Sequence, residues 1–288
     1  MFKRILKLLI STTYFAFAFA RNLLLRLAGK FPEALCVVLY YHSVPQKSRE
    51  RFARQMEVLL RWTKPISADS RIALSPGTLY SAITFDDGFQ SYLETALPEL
   101  EKRKIPSTVF IVTGGLGQLT DWEGYHEKIM SLDQLLSLPS PLVTIGSHTV
   151  THPFLSGVPE NAASRELAES RERLEEWLQR KINLFSFPYG DFNEELVGNC
   201  RAAGYERVFT TLPFPAFSDP DEFVTGRVCV EPSDWQIEFL LKIHGAYRWL
   251  PLAFSLKRKL YGRWERAPRL CNRAESRIST AASSHELL

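Results

Sequence analysis

Cysteine is scarce in this chain. Its 288 residues include only Cys36, Cys200, Cys229 and Cys271, far apart and without a C-x-x-C pair. That spacing excludes a disulfide framework and a thiolate zinc site, and it leaves the redox compartment open. Cys36 and Cys229 stand in β-like runs and read as small core residues. Charge of one sign is also lacking: 35 Lys and Arg face 32 Asp and Glu, a net charge of +3. No basic block interleaved with aromatics stands out in the core region, so nucleic acid is not expected as a partner. Between Ala34 and Trp249 there is neither an internal repeat nor a Pro/Ser-rich linker, which argues for one domain rather than two. Hydrophobic residues make up 45% of the chain, enough to bury a sizeable core.

Long apolar runs are missing except at the N-terminus, MFKRILKLLISTTYFAFAFARNLLLRLAGK. Lys7 interrupts the roughly 20 apolar residues that a spanning helix needs, so a transmembrane helix fits poorly. The basic start, the short run from Leu8 to Ala20 and its small-residue ending fit a signal peptide. Basic residues recurring to Lys30 between Leu23, Leu24, Leu25 and Leu27 fit an interfacial membrane helix equally well. An ordinary soluble helix is the remaining reading. Residues 1–30 are therefore expected to be a membrane-associated or signal segment, which places the protein at a membrane or beyond one, in the cell envelope or on the cytoplasmic membrane face. At the other end, residues 257–288 are Arg-rich and poor in apolar side chains, which reads as a basic, partly disordered tail.

Between these ends, seven short β-branched or aromatic runs (34–41, 81–85, 107–112, 142–147, 184–187, 207–211 and 223–230) alternate with segments of helical spacing (51–62, 91–104, 163–181, 194–205 and 235–249). Pro98 is expected to kink or shift the second helix, and Gly204 to stop the fourth. Strands alternating with helices imply a mostly parallel sheet covered by helices. The expected fold is α/β, a distorted (β/α) barrel of about seven parallel strands forming one domain over residues 34–250. In such barrels reactive groups gather at the C-terminal ends of strands.

The chemistry-bearing residues obey that rule. ITFDDGFQSY (83–92) places Asp86 and Asp87 back to back directly after a strand, although like charges repel and a buried carboxylate is costly without compensation. GSHTVTHP (146–153) follows another strand and carries His148 and His152 four residues apart. On one helical turn both imidazoles would share a side. Two histidines and a carboxylate suit a divalent metal that keeps positions open for water and substrate. FPYGDFN (187–193) follows a third strand, and its Pro188-Tyr189-Gly190 turn would aim a ring or a backbone N–H into the strand-end cleft.

The order T-F-D-D-G, H-T-x-x-H-P, F-P-Y-G resembles the NodB-homology polysaccharide deacetylases, carbohydrate esterase family four. VVLYYHSVP (37–45) and the F-x-x-Q-M-x-x-L helix after it extend the similarity, which covers about Cys36 to Val230. The resemblance implies a seven-stranded distorted barrel and a divalent metal, usually zinc, held by Asp87, His148 and His152. It also implies Asp86 as general base and the Tyr189 backbone N–H as oxyanion donor. Pro188, Tyr189 and, from a late Asp-Trp pair, Trp235 would contact substrate. Two places depart from the family. Its third motif often begins with an Arg that steadies the catalytic aspartate, where this chain has Ser186, so the tuning of Asp86 is open. Its late catalytic His has only a short-spaced counterpart in His244, and His42 at the first strand end is the other candidate for proton transfer or substrate contact.

The function implied is removal of N-acetyl or other N-acyl groups from an amino-sugar polysaccharide or oligosaccharide of the cell envelope. Deacylation of a lipid-linked aminosugar, a catalytically silent carbohydrate-binding relative and a different metallohydrolase on a similar barrel are the alternatives.

Overall fold

β-Branched and aromatic runs become strands here because both of their faces find apolar partners. The computed structural model describes residues 2–120, 122, 126–139, 141–219 and 221–254; the expected 257–288 tail lies outside the described residues. The strands are β1 (Leu35–Tyr41), β2 (Lys64–Pro65), β3 (Leu79–Phe85), β4 (Ser107–Ile111), β5 (Val143–Ser147), β6 (Leu184–Ser186), β7 (Arg207–Phe209), β8 (Val224–Thr225) and β9 (Arg227–Cys229). All pairings between them are parallel. Their order is β8-β7-β6-β5-β4-β3-β1-β9, with β2 also on β3. The two ends of this order, β8 and β9, are consecutive in the chain and separated only by Gly226, so the sheet curls almost into a closed barrel. The single last strand expected at 223–230 is thus two short ones broken at Gly226, and β2 is an addition.

Alternation along β1 sorts the core into two layers. Cys36 and Val38 point inward to Ala82, Phe110, Leu184 and Phe209, whereas Val37, Leu39 and Tyr41 point outward beneath the helices. Cys36 and Cys200 are buried free thiols. Cys229 is disulfide-bonded, so it is more than the core residue its surroundings suggest.

The helices are α1 (Phe2–Leu27), α2 (Arg49–Trp62), α3 (Leu97–Lys102), α4 (Leu132–Leu136), α5 (Glu160–Leu178), α6 (Glu194–Ala202) and α7 (Gln236–Ile243). Pro98 does shift its segment: a π-helical turn over Tyr92–Ala96 comes first, and α3 starts with the proline in its first turn. There its missing N–H has no intrahelical partner to lose. The fourth expected helix ends at Ala202, and Gly204 takes φ +87° just beyond it.

Helix α1 does not stand apart. Arg4 donates to Glu238 of α7 at 2.6 and 2.9 Å. The Trp249 indole donates to Ser11 at 2.9 Å. Its outer side carries Phe2, Leu9, Phe17, Leu24 and Leu27, each more than 60% exposed. By length and composition the helix is long and apolar enough to cross a membrane.

Candidate active site

Three adjacent strand ends build the site. β3 ends at Phe85, opposite Tyr41 of β1, and the Asp86 N–H donates to Tyr41 O at 2.9 Å. The chain then turns through Asp87 and Gly88, both at positive φ (71° and 72°). A Cβ at residue 88 would lie 2.8 Å from Ile111 Cδ1, so glycine is required on both steric and conformational grounds. This turn carries Asp86 and Asp87 into the barrel mouth, where they are 3% and 1% exposed.

β4 and β5 run side by side, and β5 delivers the histidines to the same mouth. The segment from His148 to His152 is a loop, not the helical turn that four-residue spacing suggests: Thr149 and His152 take φ of 70° and 60°. Even so, both rings converge on Asp87. Its Oδ1 lies 3.5 Å from His148 Nε2 and 3.3 Å from His152 Nε2.

The proton positions follow from the partners. His148 Nδ1 is 2.7 Å from the Ser186 carbonyl. A carbonyl only accepts, so Nδ1 carries the hydrogen and Nε2 presents a bare lone pair. Burial pushes the His148 pKa down, and burial together with His148 pushes that of His152 well down. Burial and the Asp86 charge push Asp87 well up. Asp87 Oδ1 has no hydrogen-bond partner. Asp87 Oδ1 and the Nε2 atoms of His148 and His152 thus converge on one point. Ligands about 2.0–2.1 Å from a shared tetrahedral centre stand ~3.4 Å apart, so the residues present fit a divalent cation. They are also a group of buried metal-binding side chains within 4.8 Å of one another.

Asp86 has a different partner. Arg227 of β9 grips it bidentately, Nη1 to Oδ1 at 2.7 Å and Nη2 to Oδ2 at 2.8 Å. The remaining donors go to Thr210 O (3.2 Å), Thr84 Oγ1 (3.0 Å) and Ser186 Oγ (2.7 Å), so every guanidinium N–H is used. The Tyr40, Phe110 and Phe209 rings surround the cation at 4.6, 5.4 and 5.9 Å. Burial opposes the Asp86 charge, but Arg227, helped by His148 and His42, outweighs it and holds the carboxyl at about 2. The question raised by Ser186 is thereby answered: the arginine comes from another strand, and Ser186 accepts one of its hydrogen bonds.

The other expected residues divide. Tyr189 sits at φ 58° in its turn beside buried Pro188. Its ring is stacked on Phe154 (3.8 Å between centroids) and set edge-on to His152 (4.6 Å). Trp122 stacks on the His152 ring at 4.7 Å. His42, half-buried just past β1, is near enough for its charge to act on Asp86 and His152.

His244 is not brought to the site, which corrects its candidacy as the acid. It ends α7 with its ring between Phe15 (5.3 Å) and Trp62 (5.4 Å). The neighbouring Gly245 abuts Leu35 and Val37, the start of β1. Six strand steps, ~20 Å, separate that end from the mouth. Trp235 precedes α7 and lies under the Arg4 guanidinium, 4.5 Å from it, rather than against the Asp-His group.

Residues 76–208 match the family model for polysaccharide deacetylase. The chain carries a polysaccharide deacetylase domain. Such domains hydrolyse N-acetyl amide bonds. The chain is 25% identical over 206 residues to a putative polysaccharide deacetylase, YxkH of Bacillus subtilis, covering 68% of this chain and 71% of that protein. It is 25% identical over 170 residues to the poly-beta-1,6-N-acetyl-D-glucosamine N-deacetylase of Staphylococcus aureus, covering 56% and 57%; it therefore spans little more than half of that relative. Among solved structures, IcaB from Ammonifex degensii superposes with a TM-score of 0.63 at 28% identity, over 75% of this chain and 99% of that one. The candidate site also depends on a residue that the strand pattern absorbs: Arg227 lies within the apolar run 223–230. An arginine flanked by Gly226 and Val228 in such a run was itself a signal, because arginine is almost never fully buried unless paired.

Proposed function

We propose that this protein is a metal-dependent N-deacetylase of an amino-sugar polymer of the cell envelope. The observation that carries the reading is the division of labour between adjacent carboxylates: Asp86 is kept ionised by Arg227, while Asp87 faces the Nε2 atoms of two imidazoles. The substrate class draws on the N-acetylglucosamine polymer named for the S. aureus relative.

Asp87, His148 and His152 would hold the metal, zinc being the usual ion for such a donor set. When bound, it supplies Lewis acidity toward the acyl oxygen and a water of lowered pKa. Asp86 accepts a proton from the attacking water, and its bidentate grip fixes which lone pairs face the mouth. The Tyr189 N–H donates toward the oxygen on which charge develops. Phe154 and Tyr189 form a flat apolar wall suited to a sugar face. His42, just past β1, would return a proton to the leaving amine.

The experiment measures bound metal and acetate release from N-acetylglucosamine oligomers with the same full-length preparation. About one metal per chain and acetate release are expected. His152→Ala should lower metal occupancy and release together; wild-type metal content in that variant would show the site is elsewhere.

The exposed apolar side of α1, with Arg21, Arg26 and Lys30 near its end, supports a membrane-lying helix docked on the domain through Arg4. Co-sedimentation with anionic vesicles is the expected result. Equal sedimentation with neutral and anionic vesicles would remove the electrostatic part of this reading.

A further inference from the structure

The metal-binding loop is held from below by a side chain that touches neither the metal position nor substrate. We infer that Glu166 of α5 is a positioning residue that presets the two-histidine loop for its cation. The inference rests on the metal centre proposed above.

The loop needs holding. Within five residues it contains two non-glycine positions in the left-handed region, Thr149 (φ 70°) and His152 (φ 60°). Such conformations persist where surrounding contacts over-determine them. The contacts come from two sides. Thr113 and Gly114, just past β4, donate their N–H groups to Thr149 O (3.1 Å) and Val150 O (2.8 Å). That fixes the carbonyls. A Cβ at Gly114 would come within 2.7 Å of Val150 O, so this approach depends on glycine.

The Val150 and Thr151 amides are fixed by Glu166. Its Oε2 accepts from Val150 N–H at 2.7 Å and Thr151 N–H at 2.9 Å, and its Oε1 accepts from Thr151 Oγ1–H at 2.7 Å. These are charge-assisted bonds to a single carboxylate, stronger than their neutral equivalents. Thr149 closes the loop internally: its hydroxyl donates to the His148 carbonyl and accepts from His152 N–H at 3.0 Å. The two histidines therefore bracket two peptide groups, Thr149–Val150 and Val150–Thr151, each held at both its carbonyl and its N–H.

α5 packs over β5, and Glu166 precedes the fully buried Leu167 of that helix. The clamp is thus mounted on a rigid element. Its consequence is for metal affinity rather than for folding. Thr151 is exposed and Glu166 only half-buried, so water can replace the lost bonds in a variant. The loop is then free to leave its left-handed conformations, and His152 loses its aim at Asp87 Oδ1.

The test compares Glu166→Ala and Glu166→Gln with Asp87→Ala in the otherwise intact chain. It measures zinc affinity by chelator competition and amide hydrogen exchange in the metal-free protein. Removing partners that orient metal ligands weakens binding by about 10–100-fold. That loss is expected for Glu166→Ala. Glu166→Gln keeps an acceptor for the two amides and should recover part of it. Exchange at Val150 and Thr151 should accelerate in Glu166→Ala, with metal-free melting little changed. Zinc affinity within twofold of wild type in Glu166→Ala, while Asp87→Ala loses zinc, would overturn the clamp and leave the metal centre standing. A global loss of melting in both Glu166 variants would overturn it too, by making the residue merely structural. Full zinc binding by Asp87→Ala would remove the metal centre and the clamp together.

Discussion

Asp86→Asn is expected to keep its metal and lose about 10²–10⁴-fold in kcat, the usual contribution of a positioned general base. Both parts follow from geometry. Asp86 spends both oxygens on Arg227, whereas the histidines converge on Asp87. Asparagine keeps one acceptor for the guanidinium but cannot take a proton at neutral pH. Metal content and acetate release in one preparation decide the matter. Parallel loss of metal and turnover would mean that Asp86 is a ligand, and the division between the two carboxylates would fail.

Arg227→Met should produce the largest stability change in the protein. The guanidinium is fully buried and Asp86 nearly so. Removing one partner of a buried pair leaves the other charge uncompensated, at a cost of about 3–5 kcal/mol. Urea unfolding measures it, and a loss under about 1 kcal/mol would show that water reaches the pair. The pH dependence has a definite sign. In the wild type the Asp86 carboxyl sits at about 2, below its ordinary 3.8. Its contribution to stability is therefore fully present above pH ~4 and lost as pH falls through about 2. Without Arg227, burial is opposed only by the weaker influence of His148 and His42, and the Asp86 pKa rises. The acid limb of kcat/KM should then move to higher pH. The double variant Asp86→Asn/Arg227→Met should cost less than the sum of the single changes, since each alone strands a buried polar partner.

These two residues also mark where sequence reasoning stops. By itself the sequence determined the alternation of seven apolar runs with amphipathic segments, and hence a parallel barrel with reactive groups at strand ends. It also showed the Asp86-Asp87, His148-His152 and Pro188-Tyr189 motifs directly after their strands, which local pattern suffices to read; their joint role was implied only by the family resemblance. The N-terminal helix was legible as amphipathic, but not its docking, which depends on Arg4 meeting Glu238, 234 positions away. Tertiary structure alone decided which partner steadies Asp86. Arg227 lies 141 positions away, and only the curl that lays β9 beside β1 brings them together. For His244 the late Asp234-Trp235…His244 pattern resembled a catalytic motif at too short a spacing, and the fold sets its half-buried ring between Phe15 and Trp62. The loop conformation of His148–His152 was likewise undecided by spacing, since four residues bring two side chains together on a helix or in a clamped turn alike. Local patterns fix what a segment is; pairings between distant strand ends fix what its side chains meet, and those depend on closure of the whole sheet.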